Sequence, residues 1–268
     1  MKRINAAVIG AGGRMGITIL ELLSRNDSFD IVGASEDKNH VMIGKKLNSI
    51  IPGSNPNIKI EYELQKALSR ADGIIDFSSP ESSLAAAKYA SENNKPLVIG
   101  TTGFNKKQKN IIKRLSGSFP CVLSPNMSIG VNVMFEISKR LTRLMYEDFD
   151  IEILESHHRN KKDSPSGTAL KLAEIVAESM GKNLEDIAVY SRYGNTGPRK
   201  KGELGIQTLR GGDVVGEHSL LFYGDGERLE LTHKASSRKT FAGGAIRALK
   251  WIVDKPNGLY SMKNVLGF

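Results

Sequence analysis

Cysteine is nearly absent from this chain of 268 residues, with Cys121 the only one. A single thiol excludes an intramolecular disulfide framework and any cysteine-rich zinc site, and it suits a reducing compartment. No apolar run is long enough to span a bilayer, and the opening residues Met1 to Gly10 lack the extended apolar stretch of a secretory signal. A soluble, cytoplasmic protein without a metal site is therefore expected. Aromatic residues are also sparse, at 6% of the chain, and form no series of the kind that stacks on single-stranded nucleic acid. That matters because the formal net charge of +9 invites a nucleic-acid reading. The 38 Lys and Arg are interleaved with 29 Asp and Glu, and the densest clusters, Lys161-Lys162 and Arg199-Lys200-Lys201, are short. A positive field that gathers small anions fits better than a nucleic-acid or membrane partner.

What is present suggests two domains, since a domain typically holds roughly 100–200 residues. In the first half, short apolar runs alternate with amphipathic stretches. Ala6–Ile9, Phe29–Ala34, Gly73–Phe77, Pro96–Gly100 and Cys121–Leu123 read as strands, with helices from Ile17 to Leu23 and from Pro80 to Asn93. Such alternation implies a doubly wound parallel sheet with helices on both faces. Beyond Asn126 the pattern changes. A long helix over Ile129–Tyr146 and a strand over Phe149–Glu155 precede three strand-like segments, Ile206–Arg210, Glu217–Phe222 and Glu227–His233, with no helices between them. This predicts an α+β domain on a mixed or antiparallel sheet. Asn195–Gly205, rich in Gly, Lys and Arg, reads as a mobile loop, and Phe241–Val253 as a helix that rejoins the first domain. The expected division is a dinucleotide-binding domain over 1–128, completed by 239–268, and a substrate-binding and oligomerisation domain over 129–238.

The first strand runs into Gly10-Ala11-Gly12-Gly13-Arg14-Met15-Gly16. The G-x-G-x-x-G register fails because Met15 holds the last glycine position. Gly10, Gly13 and Gly16 are instead evenly spaced, which permits a tight turn and lets backbone N–H groups approach a pyrophosphate at a helix end. Glu36 follows the second strand, where a carboxylate accepts hydrogen bonds from ribose hydroxyls. Gly100-Thr101-Thr102 and Ser124-Pro125-Asn126-Met127 also follow strands, where doubly wound sheets place ligands. The last of these is either a hinge or a polar wall facing a nicotinamide.

A second cluster of chemistry runs from Glu155 to Ala169. His157 and His158 offer groups that change protonation near neutral pH, and Lys161 adds a compact cation. Ser166-Gly167-Thr168 stands just before a helical pattern, so its hydroxyls and N–H groups should form an anion site at a helix N-terminus. The bland alternative is a solvated surface connection.

Together these residues closely resemble the 4-hydroxy-tetrahydrodipicolinate reductase (dihydrodipicolinate reductase) family over nearly the whole chain. The resemblance is carried by the glycine turn, Asp76-Phe77, Gly100-Thr101-Thr102-Gly103, Ser124-Pro125-Asn126 and the His-His-x-x-Lys-x-Asp-x-Pro-Ser-Gly-Thr pattern. Arg210-Gly211-Gly212-Asp213-Val214-Val215-Gly216-Glu217-His218 and Thr232-His233-Lys234-Ala235-Ser236-Ser237-Arg238 add to it. The resemblance implies that His157 is the general acid/base with Lys161 as partner donor. It implies that His158, Gly167 and Thr168, beside Ser166, hold a substrate carboxylate, with Arg238 as a further ligand. Gly10, Ala11, Gly12, Gly13, Arg14, Met15, Glu36, Gly100, Thr101, Thr102, Ser124, Pro125, Asn126 and Met127 become cofactor residues. It further implies NADH or NADPH as cofactor, a small dicarboxylate as substrate, a homotetramer built through the second domain's sheet, and closure over substrate.

Two departures concern the cofactor. Asp37 follows Glu36 where relatives that use the phosphorylated cofactor carry Arg, and Ser79 replaces another Arg; Lys38 offsets this in part. The expectation is NADH preferred or dual use. The alternatives are a reductase of another amino-acid intermediate and a catalytically silent dinucleotide-binding regulator.

Overall fold

In the computed structural model, which describes residues 2–268, the elements run in chain order as follows. β1 (Ile4–Ile9), α1 (Arg14–Ser24), β2 (Phe29–Ser35), β3 (Ile60–Glu61), α2 (Leu64–Leu68), β4 (Gly73–Asp76), α3 (Pro80–Asn93), β5 (Leu97–Ile99), α4 (Lys106–Leu115) and β6 (Pro120–Leu123) come first. α5 (Ile129–Met145), β7 (Asp150–His157), α6 (Gly167–Ser179), α7 (Leu184–Ile187), β8 (Ala188–Val189), β9 (Leu204–Arg210), β10 (Gly216–Gly224) and β11 (Glu227–Ala235) follow, then α8 (Lys239–Ile252), β12 (Gly258–Tyr260) and α9 (Met262–Leu266). The chain divides into two compact units, one running through Ile129 and resuming at Arg238–Phe268, the other Gly130–Ser237.

In the first unit seven strands pair in the order β12-β6-β5-β4-β1-β2-β3, all parallel. Because side chains alternate across a strand, each central strand feeds two cores. Ala6 and Val8 of β1, Ile75 of β4, Val98 of β5 and Val122 of β6 pack on the side of α1 and α8. Ala7, Ile9, Ile74, Leu97, Ile99 and Cys121 pack on the side of α2, α3 and α4. This two-sided burial explains why the strands read as continuous apolar runs.

The helices are set by local signals. α3 begins with Pro80 at its first turn, and the Ser79 hydroxyl accepts from the Ser82 N–H at 3.2 Å. It ends where Asn94 turns left-handed at φ 48°. α1 buries Gly16, Ile19, Leu20 and Leu23, an i, i+3, i+4, i+7 stripe.

The sheet of the second unit runs β11-β10-β7-β9-β8, antiparallel at β11-β10 and β10-β7 and parallel at β7-β9 and β9-β8. It is mixed, and α6 packs on its inner face. The segment expected as a mobile loop behaves differently at its end. Leu204 and Gly205 belong to β9, and the Arg199 guanidinium is tied to Asp150 at 2.6 Å, to Glu152 at 3.3 Å and to the Ile151 carbonyl at 3.1 Å.

Candidate active site

In the second unit, three strands present one continuous inner face whose chemistry changes along its length. At one end it is apolar, with Ile151 and Ile153 from β7, Leu204 and Ile206 from β9, and Leu220 and Phe222 from β10. At the other end the same alternation delivers Glu155 and His157, Thr208 and Arg210, and His218. The register sets Glu155 opposite Thr208 and His218, and His157 opposite Arg210. A polar cluster thus replaces the core at the end of β7.

Glu155 is its centre. The side chain is fully buried, a situation that strongly penalises a carboxylate unless several donors meet it. They do. Arg210 makes a two-pronged contact, 2.9 Å to each carboxylate oxygen. The Ser166 N–H donates to Oε1 at 3.0 Å and the Thr208 hydroxyl at 3.3 Å, while Nδ1 of His157 lies 2.6 Å from Oε2. Burial would raise this carboxyl, but the bonds from His157, Arg210 and Ser166 prevail and hold it at about 2. It is ionised at neutral pH and acts only as an acceptor, so His157 Nδ1 carries the hydrogen of that bond. His157 is consequently fixed with Nε2 on its other side. A Cβ at position 216 would stand 3.0 Å from Nε2, and Gly216 leaves that space open.

The ring of His218 meets His157 edge to face, centroids 5.2 Å apart. Burial, helped by the neighbouring His157, lowers His218 to about 3, so it is neutral. Its Nε2 lies 3.0 Å from the Ser166 hydroxyl, which also accepts from the Ala169 N–H at 3.1 Å and so caps α6. Gly167 opens that helix, exposed, with nothing within 4 Å of where a Cβ would stand. His158 donates its main-chain N–H to the Val214 carbonyl at 2.8 Å. Lys161 is largely covered and pairs with Asp163 at 2.9 Å. Arg159, Asn160 and Lys162 are exposed. The structure therefore brings His157, His158, Lys161, Ser166, Gly167 and Thr168 into one unit. Arg238 falls in the other, at the N-cap of α8. Sequence reasoning missed Glu155, Thr208, Arg210 and His218 as site residues, although period-2 alternation through the three strands carried the signal.

The first unit holds the glycine turn at the point where strand order reverses between β1 and β4, the position at which doubly wound sheets bind ligands. A Cβ at Gly10 would strike the Phe77 carbonyl, and one at Gly16 the Gly10 carbonyl. No side chain caps α1, so its N-terminal donors suit a pyrophosphate. Glu36 accepts from the Gly12 N–H at 2.7 Å and from the Asp37 N–H at 2.9 Å, and the His40 ring stands where a Cβ on Gly12 would be. Thr101 is buried and its hydroxyl accepts from the Ser78 N–H at 3.0 Å. Ser124 donates to the Asn126 carbonyl at 2.8 Å, and Asn126 accepts from the Ser128 N–H at 2.9 Å. Gly100 lies against the Phe77 ring, and Met127 is buried against α8 through Gly244. Gly13, Arg14, Thr102 and Pro125 are exposed, with Ala11 buried and Met15 partly packed on the α1 side. These residues fit a dinucleotide. Among the described residues no cluster of His, Cys, Asp and Glu could hold a metal ion, and no helix is long and apolar enough to cross a membrane.

A dinucleotide-type sheet and a buried histidine–carboxylate pair are the equipment of a pyridine-nucleotide-dependent oxidoreductase, and that is the class of this chain. Residues 4–127 match the family model described as dihydrodipicolinate reductase, N-terminus, and residues 130–266 its C-terminus. The chain belongs to the dihydrodipicolinate reductase family. A 4-hydroxy-tetrahydrodipicolinate reductase of Syntrophobacter fumaroxidans is 47% identical over 264 residues, 98% of this chain and 99% of the relative. One from Syntrophus aciditrophicus is 47% identical over 265 residues, 99% of each. The solved structure of dipicolinate-bound dihydrodipicolinate reductase from Paenisporosarcina sp. TG-14 superposes with a TM-score of 0.76 at 24% identity, covering 97% of each chain. That likeness bears on the fold.

Proposed function

We propose that this chain catalyses the NAD(P)H-dependent reduction of (2S,4S)-4-hydroxy-2,3,4,5-tetrahydrodipicolinate to (S)-2,3,4,5-tetrahydrodipicolinate and water, a step of the diaminopimelate route to L-lysine. The observation that carries the reading is His157, buried and fixed through Nδ1 on an ionised carboxylate, with Nε2 toward the space left by Gly216. A nicotinamide, when bound, would supply the hydride that carbon 4 takes up once the hydroxyl has left as water with a hydrogen of the adjacent ring carbon. His157 or Lys161 delivers the proton that the adjacent carbon requires. His158, Ser166, Gly167 and Thr168 hold a ring carboxylate, which orients the ring for transfer. The first unit, completed by α8, β12 and α9, binds the cofactor through Gly10–Met15, Glu36, Gly100–Thr102 and Ser124–Met127, and the second binds substrate.

The assay mixes the protein with substrate freshly made by the synthase from pyruvate and aspartate semialdehyde, and follows nicotinamide absorbance. Turnover is expected; its absence would favour a silent regulator. His157→Gln should lower kcat at least about 100-fold while NADH affinity holds, and near-normal turnover would remove His157 from the chemical step. Asp37 and Ser79 stand where relatives that use the phosphorylated cofactor carry Arg, and Glu36 adds a second carboxylate beside Asp37, partly offset by Lys38. This disfavours a 2′-phosphate, so kcat/KM should favour NADH or be equal for both cofactors. A strong NADPH preference contradicts this.

A homotetramer through the second sheet completes the proposal. Leu209 and Tyr223 are exposed apolar residues on the outer side of β9 and β10, and β11 is a nine-residue edge strand of the kind that soluble proteins cover. Light scattering should return the mass of four chains.

A further inference from the structure

We propose that Glu155, paired with Arg210, is a positioning residue that sets the proton donor and the anion cradle together, fixing the imidazole of His157 through Nδ1 and the start of α6 through the Ser166 N–H. It rests on the reading of His157 as proton donor. The geometry is specific to this role. Arg210 bonds both carboxylate oxygens, and each oxygen also takes one functional group: Oε2 takes His157 Nδ1 at 2.6 Å beside Arg210 at 2.9 Å, and Oε1 takes Ser166 N at 3.0 Å beside Arg210 at 2.9 Å and the Thr208 hydroxyl at 3.3 Å. Arg210 donates further to the Asp163 carbonyl at 2.7 Å, which ties down the segment that bears Lys161. The guanidinium neutralises the buried charge, and its planar fork holds the carboxylate plane. With one oxygen on each group, rotation of that plane would release both at once.

The consequence is a defined tautomer. His157 must donate from Nδ1, which leaves Nε2 as the atom that gains and loses the proton. An orienting partner of this kind is what separates a catalytic histidine from a merely nearby one.

The test uses the full-length protein labelled with 15N at histidine, with His157→Gln identifying the His157 signals. In the wild type, nitrogen shifts of the neutral ring should report hydrogen on Nδ1; hydrogen on Nε2 would overturn the proposal without any variant. Glu155→Gln should give mixed or inverted tautomers, a kcat lower by about 100-fold, and an unchanged KM for NADH. Arg210→Lys, which keeps the charge and loses the fork, should fall between the two. A destabilised Glu155→Gln that keeps the wild-type tautomer and pH–rate profile would show a structural role only and overturn positioning. Near-normal turnover of His157→Gln would overturn the proton-donor reading itself. Collapse of His157→Gln beside an unaltered Glu155→Gln would overturn the positioning role alone.

Discussion

Three buried ionisable groups give the two units opposite responses to pH. His218 is lowered from 6.5 to about 3, so the unfolded chain binds its proton more readily. Its contribution to stability is complete above about 6.5 and is lost as pH falls toward 3. Glu155, lowered from 4.5 to about 2, adds a contribution that is complete above about 4.5 and disappears below it. Asp76 runs the other way: burial raises it from 3.8 to about 6 despite bonds from Ser78 and neighbouring hydroxyls. The charge it carries at higher pH costs stability, which is greatest below 3.8 and declines as pH rises through 6. Hydrogen exchange resolved by peptide should show β7 and β10 losing protection between pH 6.5 and 3 while β4 does not. His218→Asn should flatten the upper part of the first loss. Uniform loss across both sheets would contradict the assignment of these groups.

At the scale of elements, the glycine turn and α1 are one unit of packing. A Cβ at Gly16 would meet the Gly10 carbonyl and the Ala11 Cα, both main chain, so neither can swing aside. Gly16→Ala should destabilise the first unit by about 1–3 kcal/mol, as overpacking does, and weaken NADH binding. Gly117→Ala, where a Cβ meets nothing within 4 Å, is the control expected to be neutral in both calorimetry and fluorescence titration. This turn was legible because its glycines, the strand before it and the apolar stripe after it agree. α4 was not. Its only apolar residues, Ile111, Ile112 and Leu115, are confined to its second half, too short a stretch to read as a period against a strand, and its start is marked by an Asn105–Gln108 capping box. β3, with two residues, and β12, with three, are too short to show alternation. Glu155 and Arg210 were hidden for a different reason: a buried charge reads as a surface residue until the strand register shows the two meeting.

For the whole molecule, the excess of cations is a property of the field and not of any single contact. The formal charge is +9, while the proposed substrate carries two carboxylates, so its encounter with the protein should be assisted at low ionic strength and screened as salt shortens the Debye length, about 10 Å at 0.1 M. Raising KCl from low to high concentration should lower kcat/KM for substrate several-fold. The kcat should stay constant if, as proposed, side chains and helix N–H groups hold the bound carboxylates at short range, where salt screens little. The same series with Lys200→Gln and Lys201→Gln, exposed residues outside the site, should have a shallower slope and the same kcat. A salt-independent kcat/KM would mean that recognition of the carboxylates is entirely local and that the net charge serves another end.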